Sequence, residues 1–214
     1  MQAPQDTKPR WERRKDARPQ ELLASALEQF VERGYAATRL EDVAKRAGVS
    51  KGTLYLYFTN KEELFKAVVR DTIVRTIGEA EQDAAGFDGH SAELLRAILM
   101  KWWDQICSTN LAGITKLMLA EGNNFPELAQ FYNEEVVKRG GDLFTSVLVR
   151  GIARGEFRPV DPAVMTQVLI APVMMLMMWT LSFMPTCEMP AIDPQAFMDT
   201  FIDTTLRGLE AAPP

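Results

Sequence analysis

Apolar positions recur three and four residues apart through most of the chain, and no stretch alternates apolar with polar residues as a half-buried strand would. The pattern predicts an all-α protein. A first helix from about Pro19 to Arg33 places Leu22, Leu23, Ala26, Leu27 and Phe30 on one face, and Gly34 supplies a left-handed stop. Thr38 and Glu41 form a T-x-x-E capping box that opens a second helix, with Leu40, Val43, Ala44 and Ala47 inward, until Gly48 ends it. Ser50 caps a short third helix over Lys51 to Phe58, and Asn60 with Glu63 caps a fourth that reaches about Ala84. After a Gly/Asp break, Ser91 and Glu93 lead into a fifth helix through Leu94 to Ile106, and Leu111 to Glu121 reads as a short sixth. Pro126 starts a long seventh that runs to Arg154 and stops at Gly155. Asp161 with Pro162, and Asp193 with Pro194, each pair an N-cap with a first-turn proline, opening an eighth helix and a ninth that ends near Gly208.

Composition adds a division of charge. The 214 residues are 47 % hydrophobic and 25 % charged, with a formal net charge of -5. Residues 1–70 nevertheless hold 14 Lys and Arg against 10 Asp and Glu, which leaves 10 against 19 beyond them. Positive charge therefore gathers on the first third of the chain, where a nucleic-acid partner would be met. Residues 1–18 are polar and basic, with Lys8, Arg10, Arg13, Arg14, Lys15 and Arg18, and lack the apolar run of a secretory signal. They read as a flexible basic arm, either laid along phosphates or serving as a solubilising tail. Cys107 and Cys187 are far apart and form no C-x-x-C pair, which fits a reduced cytoplasmic setting without disulfide framework or zinc site.

The informative segment is Thr38 to Lys61, two short helices joined at a glycine and followed by a capped third, which is the layout of a helix-turn-helix. Leu54 and Phe58 lie four residues apart and must pack inward if so small a domain is to have a core. Gly52, Thr53 and Leu56 then point outward, with Tyr55 and Tyr57 on the flanks, where a phenol can meet a phosphate and its ring a thymine methyl. The alternative for both tyrosines is half-buried core packing. Gly52 permits close approach to a DNA backbone, the free amides after Ser50 attract phosphate, and Lys51 and Lys61 add charge.

The stretches Phe30 to Gly34, Thr38 to Gly48 and above all VSKGTLYLYFTNKEELF, Val49 to Phe65, resemble the DNA-binding domain of the TetR family. The resemblance implies about nine helices, a homodimer on a palindromic double-stranded operator, and repression relieved by a small-molecule effector. It places Thr38 and Arg39 at the start of the second helix against phosphate or base, and Lys51, Gly52, Thr53, Tyr55, Leu56 and Tyr57 on the recognition helix. Lys61 would bind phosphate from the fourth helix. Leu56 departs from the His or larger aromatic often found there, which leaves apolar contact at that point. The implied organisation is a helix-turn-helix domain over 19–65 and a helical sensing and dimerisation domain over 66–214. Ligand would act through the fourth helix on the spacing of two recognition helices, roughly 34–36 Å apart in such dimers.

The segment from Pro126 to Pro162 is similar to the AefR-like subgroup of that family's C-terminal domains. Trp102, Trp103, Met118, Glu121, Phe125, Phe131, Tyr132, Met174, Met178 and Trp179 are the candidates for a cavity wall, since methionine fills irregular space and aromatics line apolar pockets. Plain core packing is the alternative for each of them. Residues 162–187 carry no charge, a length that would span a bilayer. That leaves a second reading, an all-α membrane-peripheral or transport-associated protein, although Pro172 lies mid-run and the flanks Asp161 and Glu188 are acidic. A helix buried by its own core and a partner subunit has the same composition. Pro172 should also kink the helix and widen a cavity beside it.

Catalysis finds no support. His90 is the only histidine and stands in a loop with no adjacent nucleophile, and neither a phosphate-binding glycine loop nor paired metal-ligand spacing is present. No metal or cofactor is expected. Glu134 with Glu135, and Asp199 with Asp203, read as solvated helix charges.

Overall fold

The computed structural model describes residues 10–185 and 192–211, with side chains from residue 19 onward. Cys187 and Lys8 lie outside those residues. Among the described residues the chain forms helices joined by short turns, with a single isolated bridge between Phe157 and Glu210 in place of any sheet. We number the helices α1 (Arg10–Ala37), α2 (Leu40–Arg46), α3 (Lys51–Tyr55), α4 (61–85), α5 (91–107), α6 (Ala112–Glu121), α7 (126–153), α8 (Pro162–Phe183) and α9 (Pro194–Leu209). The nine expected helices are all present. Chain contacts divide them into two compact units, Met1–Asp71 and Thr72–Pro214.

In the first unit α1 starts at Arg10, upstream of the expected Pro19, which lies inside the helix, so residues 10–18 of the expected flexible arm are helical. The segment RWERRKDAR is rich in good helix formers yet lacks an apolar stripe, so periodicity does not reveal it. Gly34 breaks the helix with φ 80° and ψ 171°, and helical geometry resumes for one more turn. Gly48, at φ 68°, reverses the chain between α2 and α3. The core is Leu22, Ala26, Phe30, Val43, Leu54, Leu64 and Phe65, all fully enclosed. Phe30 and Phe65 meet edge-to-face at 5.2 Å, with Tyr35 stacked on Phe30 and edge-on to Phe65.

Two caps form as expected. Ser50 Oγ accepts from the Thr53 amide at 3.1 Å, and Asn60 Oδ1 from the Glu63 amide at 2.8 Å. The capping box on α2 does not form. Arg39 is the N-cap and has no side-chain bond to the helix, because Thr38 is buried and its hydroxyl donates backwards to the carbonyls of Gly34 and Gln29, at 2.7 and 3.1 Å. Glu41 turns instead to Lys51, at 2.5 Å.

In the second unit α5, α7, α8 and α9 enclose a core that includes Leu95, Leu99, Leu148, Leu169, Val173 and Met198. His90 caps α5 through Nδ1, which accepts from the Ala92 amide at 3.2 Å, in place of the Ser91 entry expected. Asp161 and Asp193 cap α8 and α9 as their prolines indicated. Four helices contain π-helical turns, at Arg70–Val74, Trp103–Cys107, Asn133–Lys138 and Trp179–Phe183. Such turns carry one residue more than the α-helical repeat and shift the faces of the helix beyond them.

Gly151 on α7 lies beneath the buried Phe157 ring, and a Cβ there would overlap three ring carbons. The Phe157 amide is bonded to the Gly151 carbonyl at 3.1 Å, so the ring has little freedom to retreat. Gly151→Ala should therefore destabilise the second unit by about 1–3 kcal/mol despite the better helix propensity of alanine. A thermal melt at or above the wild-type value would contradict this packing.

Candidate functional site: nucleic-acid interface and sensor cavity

The exposed side of α3 and the turn after it carries the residues that the sequence singled out. Leu54 is fully enclosed and Phe58 half-buried, which fixes the rotation of α3 and leaves Tyr55, Leu56 and Tyr57 outside. Leu56 is 83 % exposed, an unusual position for a leucine with an apolar core two residues away. The half-buried reading of Tyr55 does not hold, since it is 42 % exposed. A Cβ on Gly52 would meet only Ser50 Oγ, at 3.8 Å, so nothing within the subunit demands glycine there.

The polar groups around this surface are already engaged with one another. Ser50 and Thr53 hydroxyls lie 2.9 Å apart. Lys51 is paired with Glu41 and sits 5.7 Å from the centre of the Tyr55 ring; its hydrogen bond to Glu41 raises its pKa, and that of Glu41 falls. Arg39 is exposed beside them.

Lys61 and Thr38 occupy different ground. The Lys61 ammonium donates to the carbonyls of Tyr35, Ala36 and Thr38 at 2.7, 3.1 and 3.0 Å, and lies 4.5 Å from the centre of the Tyr35 ring. An ammonium has three N–H groups, and three carbonyls face them here. Both residues thus fasten the end of α1 to the later helices of the unit, rather than standing open toward a phosphate.

The second unit holds a partly open cavity of about 180 Å³ between α4, α5, α6, α7 and α8. Of the ten candidates, Trp102, Tyr132 and Met174 line it. Trp103, Met118 and Phe131 are buried elsewhere in the packing, and Glu121, Phe125, Met178 and Trp179 do not reach it. Trp102 and Tyr132 are joined by Phe144, Ile98, Val136 and Met177, an apolar wall in which Lys101 is the one charged residue among those described. The Lys101 ammonium is bound to Asp83 at 2.6 Å.

Three features of the wall were not anticipated. Residues of three π-helical turns face the cavity: Ile73, Ile106 with Cys107, and Val136 with Val137. Gly140 and Gly141 leave bare backbone on α7; neither has positive φ, and nothing lies within 4 Å of a Cβ on Gly141. Glycine in a helix interior costs about 1 kcal/mol relative to alanine, so a pair without a backbone reason signals space. Third, the Thr115 and Tyr132 hydroxyls lie 2.8 Å apart within this apolar lining. Burial pushes the Tyr132 phenol and the Cys107 thiol each up to about 12. Beside the cavity, Arg139 grips Glu81 with two hydrogen bonds at 2.6 and 2.5 Å, tying α7 to α4.

No group of three or more metal-ligating side chains occurs among the described residues. Helix α8 is long and apolar enough to cross a membrane, with a mean hydropathy of 1.8, and only 28 % of its most apolar window is buried within the chain. Val164, Val168, Met175 and Phe183 are exposed along it.

A helix-turn-helix unit in the first third of a chain and a helical unit with an apolar cavity in the remainder is the organisation of a ligand-responsive, DNA-binding transcriptional regulator. Residues 22–68 match the model of bacterial regulatory proteins of the tetR family, and residues 88–186 the tetracyclin repressor-like C-terminal domain. The fatty acid metabolism regulator protein of Bacillus subtilis is 31 % identical over 147 residues, 67 % of this chain and 74 % of that protein. The transcriptional repressor KstR2 of Mycolicibacterium smegmatis is 30 % identical over 146 residues, 67 % and 69 % of the two chains. Among solved structures, the transcriptional regulator FadR from Bacillus subtilis in complex with stearoyl-CoA aligns with a TM-score of 0.74 at 25 % identity, covering 89 % of this chain and 99 % of that one. The chain belongs to the TetR family of transcriptional regulators. The AefR-like grouping is a finer distinction than the matched domain description draws. Family membership decides against the membrane-associated alternative for α8, and the relatives are regulators of transcription, not enzymes.

Proposed function

We propose that this protein is a cytoplasmic, non-catalytic homodimeric repressor that holds a palindromic operator through α3 and releases it when an apolar acyl effector enters the cavity. The observation that carries the DNA reading is the exposure of Tyr55, Leu56 and Tyr57 in succession at the end of α3 and in the turn after it, opposite the enclosed Leu54. Residues 19–65 act as reader and 66–214 as sensor, with residues 1–18 available to follow the phosphate backbone. Arg39, Ser50, Lys51, Gly52, Thr53, Tyr55, Leu56 and Tyr57 form the contact surface, while Thr38 and Lys61 hold its frame. The exposed apolar side of α8 meets the same face of a second copy.

An acyl effector is favoured by the apolar wall and by the Bacillus subtilis relative, which is named a fatty acid metabolism regulator and was solved with stearoyl-CoA. The cavity is smaller than the roughly 300–1,000 Å³ of most ligand sites. Entry therefore requires side chains to give way, and Met174 and Met177 are suited to that.

Fluorescence anisotropy with duplex DNA from the promoter of the protein's own gene tests this reading. Binding should weaken steeply with salt and be reversed by stearoyl-CoA. Tyr57→Ala should weaken binding to all sequences, whereas Thr53→Ala should change the preference among them. Indifference of binding to salt and to both substitutions would refute the assignment of α3.

The Glu41 pairing gives a further expectation. In the free protein Glu41 competes with phosphate for Lys51, so Glu41→Gln should raise affinity for non-specific duplex about twofold to fivefold at low salt. The gain should fade at high salt. An unchanged affinity at low salt would mean that Lys51 does not approach the backbone.

A further inference from the structure

Two hydroxyls carry two hydrogens, and a bond between them uses one. In the sensor cavity Thr115 and Tyr132 make such a bond at 2.8 Å, and neither hydroxyl has another hydrogen-bond partner among the described residues. Tyr132 is only 7 % exposed, and its neighbours along the wall include Ile98, Ile106, Val136 and Phe144. Thr115 is half-buried, and the second hydrogen of the pair has no acceptor among the described residues on the cavity side, where an unmatched donor is costly.

We propose that the Thr115–Tyr132 pair is the polar anchor of the cavity, giving its spare hydrogen to a carbonyl-type oxygen carried within an otherwise apolar effector. This rests on the effector reading above and narrows its chemistry. A pure hydrocarbon leaves the donor unmatched, and an ammonium presents donor to donor. A bare carboxylate gains no free cation, because Lys101 is the one charged residue of the described wall and its ammonium is held by Asp83. An ester, ketone or thioester oxygen accepts one hydrogen bond without bringing a charge into the apolar interior. Burial keeps the Tyr132 phenol protonated, with its pKa pushed up to about 12, so the donor persists at any physiological pH.

The test compares decanoyl-CoA with S-decyl-CoA, a thioether that lacks only the carbonyl oxygen, by titration calorimetry on the full chain. The wild type should prefer the thioester about 3- to 10-fold, as expected for one neutral hydrogen bond. In the double variant Thr115→Val, Tyr132→Phe the preference should fall to about one. The melting temperature without ligand should hold or rise, because both partners of a buried pair are replaced by apolar groups of like shape. Equal binding of the two compounds by the wild type overturns the anchor but leaves the effector cavity standing. A preference retained in the double variant also overturns the anchor. If the wild type binds neither compound, the acyl-effector reading fails and the anchor with it.

Discussion

Gly52→Glu is expected to leave folding intact and reduce operator affinity on the order of 100-fold or more, since a like charge set against phosphate costs several kcal/mol. The fold has no objection to a side chain at this position, where a Cβ would meet only the Ser50 hydroxyl at an ordinary distance. Replacing a glycine within α3 by a better helix former should, if anything, raise the melting temperature. Stability and DNA binding would then move in opposite directions, which separates a surface kept bare for an external partner from one kept bare by internal packing. Thermal melts and anisotropy titrations on the same preparation decide the matter. An unimpaired DNA affinity would place the contact surface elsewhere.

Phe65→Ala should lose both properties together. Phe65 is fully enclosed, packs edge-to-face on Phe30 and Tyr35, and is the last large side chain of the segment that bears the family resemblance. Truncating a buried phenylalanine costs about 3–5 kcal/mol, a large share of the stability of so small a unit. Operator binding should vanish at temperatures where ligand binding by the second unit persists. A DNA affinity within twofold of wild type at 37 °C would show that the aromatic trio is not what holds α3 in place.

The elements that could be read from sequence are those whose signals are local. Ser50, Asn60, Asp161 and Asp193 cap the helices they precede because each needs only an amide two or three residues ahead. Thr38 carries the same local signal and fails it, because carbonyls of α1 reach its hydroxyl first. Lys61 likewise has the sequence position of a phosphate contact, yet three carbonyls converge on it from residues 23 to 26 positions away. Competition from distant groups of this kind leaves no mark on the spacing of residues.

The cavity was only partly readable for a related reason. Where a helix is apolar all round, composition cannot say which side faces empty space. Trp102 lines the cavity and Trp103, one residue on, is buried at 5 % exposure in the core. The π-helical turns rotate the faces beyond them, so a strict 3.6-residue period assigns the later residues of each helix to the wrong side. Two clues in the sequence were nonetheless available. Gly140 and Gly141 interrupt a helix that has no turn to make, and Thr115 stands beside Lys116 in a segment otherwise without polar side chains from Leu111 to Ala120.

The uncharged α8 has a bearing on how any of these measurements must be made. A subunit that covers Val164, Val168 and Met175 with a second copy, as proposed above, has part of its folding free energy stored in that partner. For such a chain the melting temperature is not a constant of the sequence but rises with protein concentration. Dilution alone would then resemble a destabilising mutation, and a variant examined at nanomolar levels beside a wild type at micromolar levels would be charged with a defect it does not have. Charged replacements at Val168 should mimic that dilution without touching either the reader or the cavity.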